Sequence, residues 1–277
     1  MATIVRYVNP GSAGGNGTTA ALSGANAAYV SWQSADTAEG TDLTDSGGDI
    51  MQFNMAGTTT DTTFCTIDGW TTNVTSYIDI IGDFVDGIYS TSYYRIAPAT
   101  GAAVHCYEDY VRVSKVQFVT ATGTNSHGFY VVQVTNTNND IRVFNCLFLS
   151  NSSTGDALRV RNNVSADYCN IEAWNNVFYG WTNSTNGYAI YNGSNAGNGK
   201  FYSNTIHNCR IGIGAVYSNN SIAVNNIMNS CTTNASGTFA AGTDYNATDD
   251  ASIGYTVTGS GNTHDLVSQT FNFVNTT

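Results

Sequence analysis

The sequence predicts an all-β protein built as a parallel β-helix, a single-stranded solenoid in which one chain winds in coils stacked through parallel strands. Three observations carry this. First, the chain repeats itself. Val111-Arg112-Val113-Ser114-Lys115, Ile141-Arg142-Val143-Phe144-Asn145, Ile171-Glu172-Ala173-Trp174-Asn175, Lys200-Phe201-Tyr202-Ser203-Asn204 and Ile222-Ala223-Val224-Asn225-Asn226 align, with last residues 30, 30, 29 and 22 apart. Met51-Gln52-Phe53-Asn54-Met55 and Ile78-Asp79-Ile80-Ile81-Gly82 fit the same frame. Every piece but the one starting at Lys200 is apolar at its first and third positions, the period-two signature of a strand. A unit of 22 to 33 residues recurring about seven times is a repeat architecture. Second, charged residues make up 10% of the chain against about 25% in typical domains. Gly, Asn, Ser and Thr take their place, and there are only two prolines, the composition of many short strands joined by turns. Third, a second apolar strand follows the first at Phe129–Val132, Leu158–Val160, Ala189–Tyr191 and Ile213–Val216, with no helical connection between them. A β-sandwich also uses many short strands, but it gives no reason for the same residue types to recur in columns.

In chain order, 277 residues with 42% hydrophobic content suffice for one large domain. Residues 1–45 read as an N-terminal strand, Ile4 to Val8, followed by a capping helix over 25–39. Ala28, Trp32 and Ala35, with Tyr29, share one helical face; Asn26 is the expected N-cap and Gly40 the stop. Gly47-Gly48 turns the chain into a strand at Asp49–Phe53, and residues 46–231 form the coils. Residues 232–277 are a polar extension, a last coil or a subunit contact, with strands expected at Tyr255–Thr258 and Phe271–Val274.

The columns add detail, because equivalent residues of stacked coils lie about 4.8 Å apart. Val85, Phe118, Phe148, Phe178 and His207 are expected in one column, with the three Phe rings stacked. Asn145, Asn175, Asn204 and Asn226 form another, suited to left-handed backbone and to an amide ladder. An outward column, Gln52, Asp79, Arg112, Arg142 and Glu172, offers the pairs Asp79–Arg112 and Arg142–Glu172 across coils. Seven to eight coils would make a rod of roughly 35–40 Å.

Three features resemble right-handed parallel β-helix proteins of the pectin-lyase-like superfamily. They are Tyr7-Val8-Asn9-Pro10 followed by Gly14-Gly15-Asn16-Gly17-Thr18, the helix around Tyr29-Val30-Ser31-Trp32-Gln33, and Gly48-Asp49-Ile50. With Asp61-Thr62-Thr63, Ile67-Asp68-Gly69-Trp70-Thr71-Thr72 and Asp244-Tyr245-Asn246, the chain looks like the β-helix proteins of tailed-phage and prophage genomes. The resemblance implies a helix plugging the N-terminal end of a right-handed solenoid. It also raises polysaccharide lyases and hydrolases, which need two or three carboxylates around the glycosidic bond, or an acidic Ca²⁺ site with a base.

The residues offer neither. Asp140, Asp156, Asp167 and Glu172 are scattered, and Ser126-His127-Gly128 echoes the polygalacturonase His-Gly motif without its companion acids, so His127 reads as a turn residue. His207 reads as a stacking residue and Arg210 as a surface residue able to meet a sugar carboxylate. Asp244, Asp249 and Asp250 miss the EF-hand spacing and read as a solvated loop. The six cysteines lack Cys-x-x-Cys spacing, which disfavours zinc; Cys209 and Cys231 should stack in neighbouring coils as a buried thiol pair within disulfide reach. No catalytic, cofactor or metal residue is therefore expected.

Net charge is −11 with no basic run, against nucleic acid or anionic membrane as partners. The first residues lack a signal-peptide pattern and no apolar run could span a bilayer. The expectation is a non-enzymatic structural protein of a phage virion, assembled in the host cytoplasm: head decoration, head fibre or spike. Its expected partners are copies of itself (a trimer by analogy with phage spikes), other virion proteins and a host surface glycan. The alternatives are a polysaccharide-cleaving spike and an extracellular surface or filament protein of the host.

Overall fold

Each complete coil folds into three short strands, and each strand hydrogen-bonds in parallel with its equivalents in the coils before and after. A computed structural model describes residues 2–45, 48–85, 87–120, 126–133, 139–150, 154–162, 169–183, 185–193, 198–216, 220–259 and 264–273. Three all-parallel faces result. The first has eight strands, from Thr3–Val8 to Ile222–Val224. The second has seven, from Arg95–Ile96 to Ala247–Thr248, and the third eight, from Cys65–Ile67 to Thr256–Val257. The chain visits the faces in turn, as a parallel β-solenoid does. Alternation sends every second side chain inward. Met51, Ile78, Val111, Ile141 and Ile171 lie in line on the first face. Val104, Phe129, Leu158, Ile190 and Ile213 do so on the third. All are buried in one continuous core.

The second face is the strand per coil that the two-strand reading lacks. Only two residues separate it from the first face, so no break in polarity announces it. The first of these two, Lys115, Asn145, Asn175, Ser203 or Asn225, is left-handed with φ of 53–57°. The second is Val116, Cys146, Asn176, Asn204 or Asn226, and it points inward. The expected column Asn145, Asn175, Asn204, Asn226 is thus two adjacent columns. The frame slips by one residue in the sixth coil, where Ile171 pairs with Gly199 and not with Lys200. The Phe201 ring fills the space of the missing side chain: a Cβ on Gly199 would come within 2.4 Å of it.

The Asn ladder occupies the inward column. Asn176, Asn204 and Asn226 each send the side-chain amide to the Oδ1 of the next member, at 3.1, 3.0 and 2.9 Å, ending on Asn246. Each also donates to a carbonyl of the preceding coil, Val143, Ala173 or Phe201. Asp265, an acceptor, terminates the column by taking the Asn246 backbone N–H at 2.7 Å.

The Phe column is present, with corrections at both ends. Phe118–Phe148 and Phe148–Phe178 stack at 4.7 and 4.8 Å with planes within 14°. Ile96 occupies the place expected for Val85, which is exposed, because the strand pairing with Phe118 is Arg95–Ile96. His207 pairs with Tyr179 in the neighbouring outward column, and Ile206 follows Phe178, a consequence of the same one-residue slip. The outward ion pairs also differ. Arg142 and Glu172 are in register, but Arg142 bonds Asp140 on its own strand at 2.7 Å and Glu172 bonds Lys200 at 2.6 Å. Arg112 lies on the Tyr77 ring, 3.6 Å from its centroid, instead of closing an ion pair on Asp79.

Helix α1 is Trp32–Glu39, shorter than expected. Residues before it are extended: Tyr29 bridges Val8, so Ala28 and Asn26 lie outside the helix. Ser31 is the cap, exchanging side chain-to-backbone bonds with Ser34 at 3.1 Å each way. The Asp61 carboxylate adds a bond from Trp32 N–H at 2.8 Å. Trp32 and Ala35 are buried. The helix contacts Cys65–Ile67 and Thr3–Val8, the end strands of two faces, and so covers edges that have no coil above them.

The C-terminal end closes on itself to a degree the sequence did not suggest. Leu266 bridges Ala247 in parallel, and Gln269 N–H donates to Thr248 O at 2.9 Å, adding a rung below the last strand of the second face. Phe271 to Phe273 form no strand; the Phe273 ring instead lies 5.2 Å from His207. Of the expected strand Tyr255–Thr258, Thr256–Val257 is present. Gly47, Asp167 and Val274, named above, lie outside the described residues. Among the described residues no helix is long and apolar enough to cross a membrane.

Candidate functional site

On the third face, strand register sets Thr66, His105, Tyr130, Arg159, Tyr191 and Gly214 in one outward column. Rings and a cation follow one another along it. Phe64 meets His105 edge-on at 4.9 Å, and His105 meets Tyr130 at 5.1 Å. The Arg159 guanidinium sits between Tyr130 and Tyr191, 5.7 and 4.8 Å from the ring centroids. Tyr188 completes the row, T-shaped against Tyr191 at 4.8 Å. Gly214 makes room for it: a Cβ there would lie 2.5 Å from the Tyr188 ring. Period-two alternation produces the column, since His105, Tyr130, Arg159 and Tyr191 are the outward members of strands whose inward members are Val104, Phe129, Leu158 and Ile190.

A cleft of about 320 Å³ opens beside the column, lined by Ala102, His105, His127, Tyr130, Arg159 and Arg161. Asp156 lies beneath it, fully buried. Its carboxylate accepts from the backbone N–H of Gly187 and Tyr188 at 3.1 and 3.0 Å and from Arg159 Nη1 at 2.7 Å. Burial raises the Asp156 pKa while these donors pull it back. His127 accepts the Asp156 backbone N–H on Nδ1 at 2.9 Å, which puts the imidazole proton on Nε2. Burial, then the charge of Arg159, pushes its pKa down to about 3, so it is neutral at physiological pH. The cleft thus presents the imidazoles of His105 and His127, the guanidinium groups of Arg159 and Arg161 and the Tyr130 ring.

The structure disperses the remaining sequence candidates. Asp140 is tied to Arg142 and Glu172 to Lys200 on the first face. Arg210 donates to the carbonyls of Thr185 and Asn186 at 3.3 and 3.1 Å, at the margin of the Tyr188 end. His207 Nδ1 bonds Asn229 at 2.9 Å. Asp244 bonds His264 at 2.6 Å, Asp249 takes the Ser230 N–H, and Asp250 takes the Asn234 amide at 2.7 Å. These three acids are structural acceptors, each with a different partner. Among the described residues no three His, Cys, Asp or Glu side chains group to hold a metal ion.

Sequence reasoning missed one titratable cluster. Trp70 donates its indole N–H to Asp36 at 2.8 Å and its backbone N–H to Glu108 at 2.7 Å. Burial first, and neighbouring acids that include Asp68, push both carboxyls up to about 7. The available signal was Asp36 four residues after Trp32, on the buried face of α1.

Comparison of the chain with protein-family models, curated proteins and solved structures finds no match.

Proposed function

We propose that the chain is a non-catalytic, adhesive structural protein of a tailed-phage particle, a right-handed parallel β-helix whose third face holds a surface glycan. The observation that carries the adhesive part is the column His105, Tyr130, Arg159, Tyr191 with its adjoining cleft. Flat rings stack on the apolar faces of sugars, and guanidinium groups bond hydroxyls and carboxylates. Among the described residues no carboxylate lines the cleft, and Asp156 beneath it is engaged by three donors, which supports binding over bond cleavage. The virion part rests on the N-terminal and first-coil motifs that resemble phage β-helix proteins. Self-association belongs to the same proposal, with the outward first-face stripe Phe144, Trp174 and Tyr202 as its support.

The purified full chain on an array of bacterial surface glycans should bind a subset. Tyr191→Ala and Arg161→Ala should each weaken binding about tenfold, on the order of 1.4 kcal/mol, without new reducing ends or unsaturated sugar products appearing. Glycan cleavage would replace the adhesive reading with an enzymatic one. Mass spectrometry and imaging of particles made by the encoding phage should locate the chain, and its absence there would remove the virion reading.

A further inference from the structure

Six cysteines are buried as free thiols, and two of them stand in a relation the others lack. His207 pairs in register with Asn229. Two residues on, Cys209 and Cys231 occupy the same rung position in consecutive coils, tied by Thr232 N–H to Cys209 O at 3.1 Å. Each sulfur makes the same local contact, Cys209 Sγ to His207 O at 3.5 Å and Cys231 Sγ to Asn229 O at 3.7 Å. The two side chains therefore leave the backbone in the same direction, one above the other, at the rung spacing of about 4.8 Å, inside the Cα separation disulfides span. The other cysteines face different residues: Cys65 pairs with Val104, and Cys106 with Ile67 and Val131. Cys146 N–H meets the Asn176 side chain.

We infer that Cys209 and Cys231 are an oxidation site at which a small peroxide closes a disulfide between consecutive coils, stapling the C-terminal part of the solenoid. Cys231 is the attacking group. It is the more exposed of the two, 7% against 2%, and the Cys209 thiol hydrogen-bonds to it and lowers its pKa. The Cys231 thiolate attacks one oxygen of hydrogen peroxide; the O–O bond breaks, the sulfur becomes a sulfenic acid, and the departing hydroxide leaves as water after taking a proton. Cys209 then attacks that sulfur, the S–O bond breaks, its thiol proton leaves with the hydroxide as a second water, and the S–S bond forms. Two thiols and one peroxide give one disulfide and two waters. The closed loop spans one coil, so the staple restrains the unfolded chain and resists peeling of the last rungs. Cytoplasmic reductants hold the pair open, and an oxidising exterior closes it. This inference stands apart from the glycan reading, since neither thiol belongs to the third-face column.

The sequence makes the test direct. Trypsin cuts after Lys200 and Arg210, so residues 201–210 and 211–277 are separate peptides, and Cys65, Cys106, Cys146 and Cys169 fall in four others. After mild peroxide treatment of the folded full chain, non-reducing digestion should show peptide 201–210 joined to 211–277. The joined mass should be two hydrogens below the sum, with a raised melting temperature that a reductant reverses. Cys209→Ser should abolish the joined peptide and the shift while leaving the reduced-state circular dichroism spectrum unchanged. Should that variant fail to fold, the wild-type peptide map alone decides. Six titratable thiols after treatment, a different joined pair, or sulfinic acid on Cys231 without a cross-link would overturn the inference.

Discussion

At the scale of single residues, the interior is ordered by columns. Phe148 has no exposed surface and is held between two parallel rings. Phe148→Ala should destabilise the chain by about 3–5 kcal/mol in chemical denaturation; a loss below about 1 kcal/mol would mean that the ring is not buried. Two asparagines make a sharper comparison. Asn204 is buried and accepts the Asn176 backbone and side-chain amides while donating to Ala173 O and Asn226 Oδ1. Asn204→Ala leaves several of these groups without partners, at about 1–3 kcal/mol each. Asn175 is exposed and left-handed with φ of 54°. Asn175→Gly keeps that conformation and should shift stability by less than about 1 kcal/mol. Equal losses at the two sites would deny that corner and ladder are different columns.

Among the elements, α1 links the cap to acidity. The Asp36 and Glu108 carboxyls rise to about 7 when folded, above the usual carboxylate range near 4 in the unfolded chain. The folded state then holds more protons than the unfolded state between those values. Their contribution is fully present below about pH 4 and is lost as pH rises through about 7. His127 acts in the opposite sense. With its folded pKa near 3, its contribution is present above about pH 6.5 and is lost as pH falls. The wild-type profile sums the two, so variants are needed to separate them. The double variant Asp36→Asn, Glu108→Gln should gain melting temperature relative to wild type at about pH 8 and lose that advantage at about pH 5. A pH-independent difference between the two proteins would show that these carboxyls do not titrate with folding.

At the scale of the whole molecule, the ends and the outward faces set what the solenoid can meet. Helix α1 covers the N-terminal end, and residues 264–269 add a rung at the other. The proposed assembly surface is the first face, where Phe144 and Trp174 stack outward at 4.5 Å beside Tyr202. Light scattering across concentrations should give more than one chain per particle, and Trp174→Glu should return it to a monomer. A monomer at all concentrations for the unaltered chain would end the oligomer proposal.

Period and composition, read from the sequence, yield the all-β class, the parallel stacking and the Phe118–Phe148–Phe178 column, because strand alternation is local and a repeat imposes the same local solution in each coil. Tertiary structure decided what depends on register between coils. Gly199 hides the sixth coil's alignment because the Phe201 ring supplies its bulk, which moved His207 and the Asn ladder by one column. The short α1 was also decided there: Tyr29 gains a strand bridge to Val8 that outweighs helical spacing. The ring-and-guanidinium face was not legible, because Tyr130, Arg159 and Tyr191 lie about 30 residues apart and become neighbours only when one coil rests on the next.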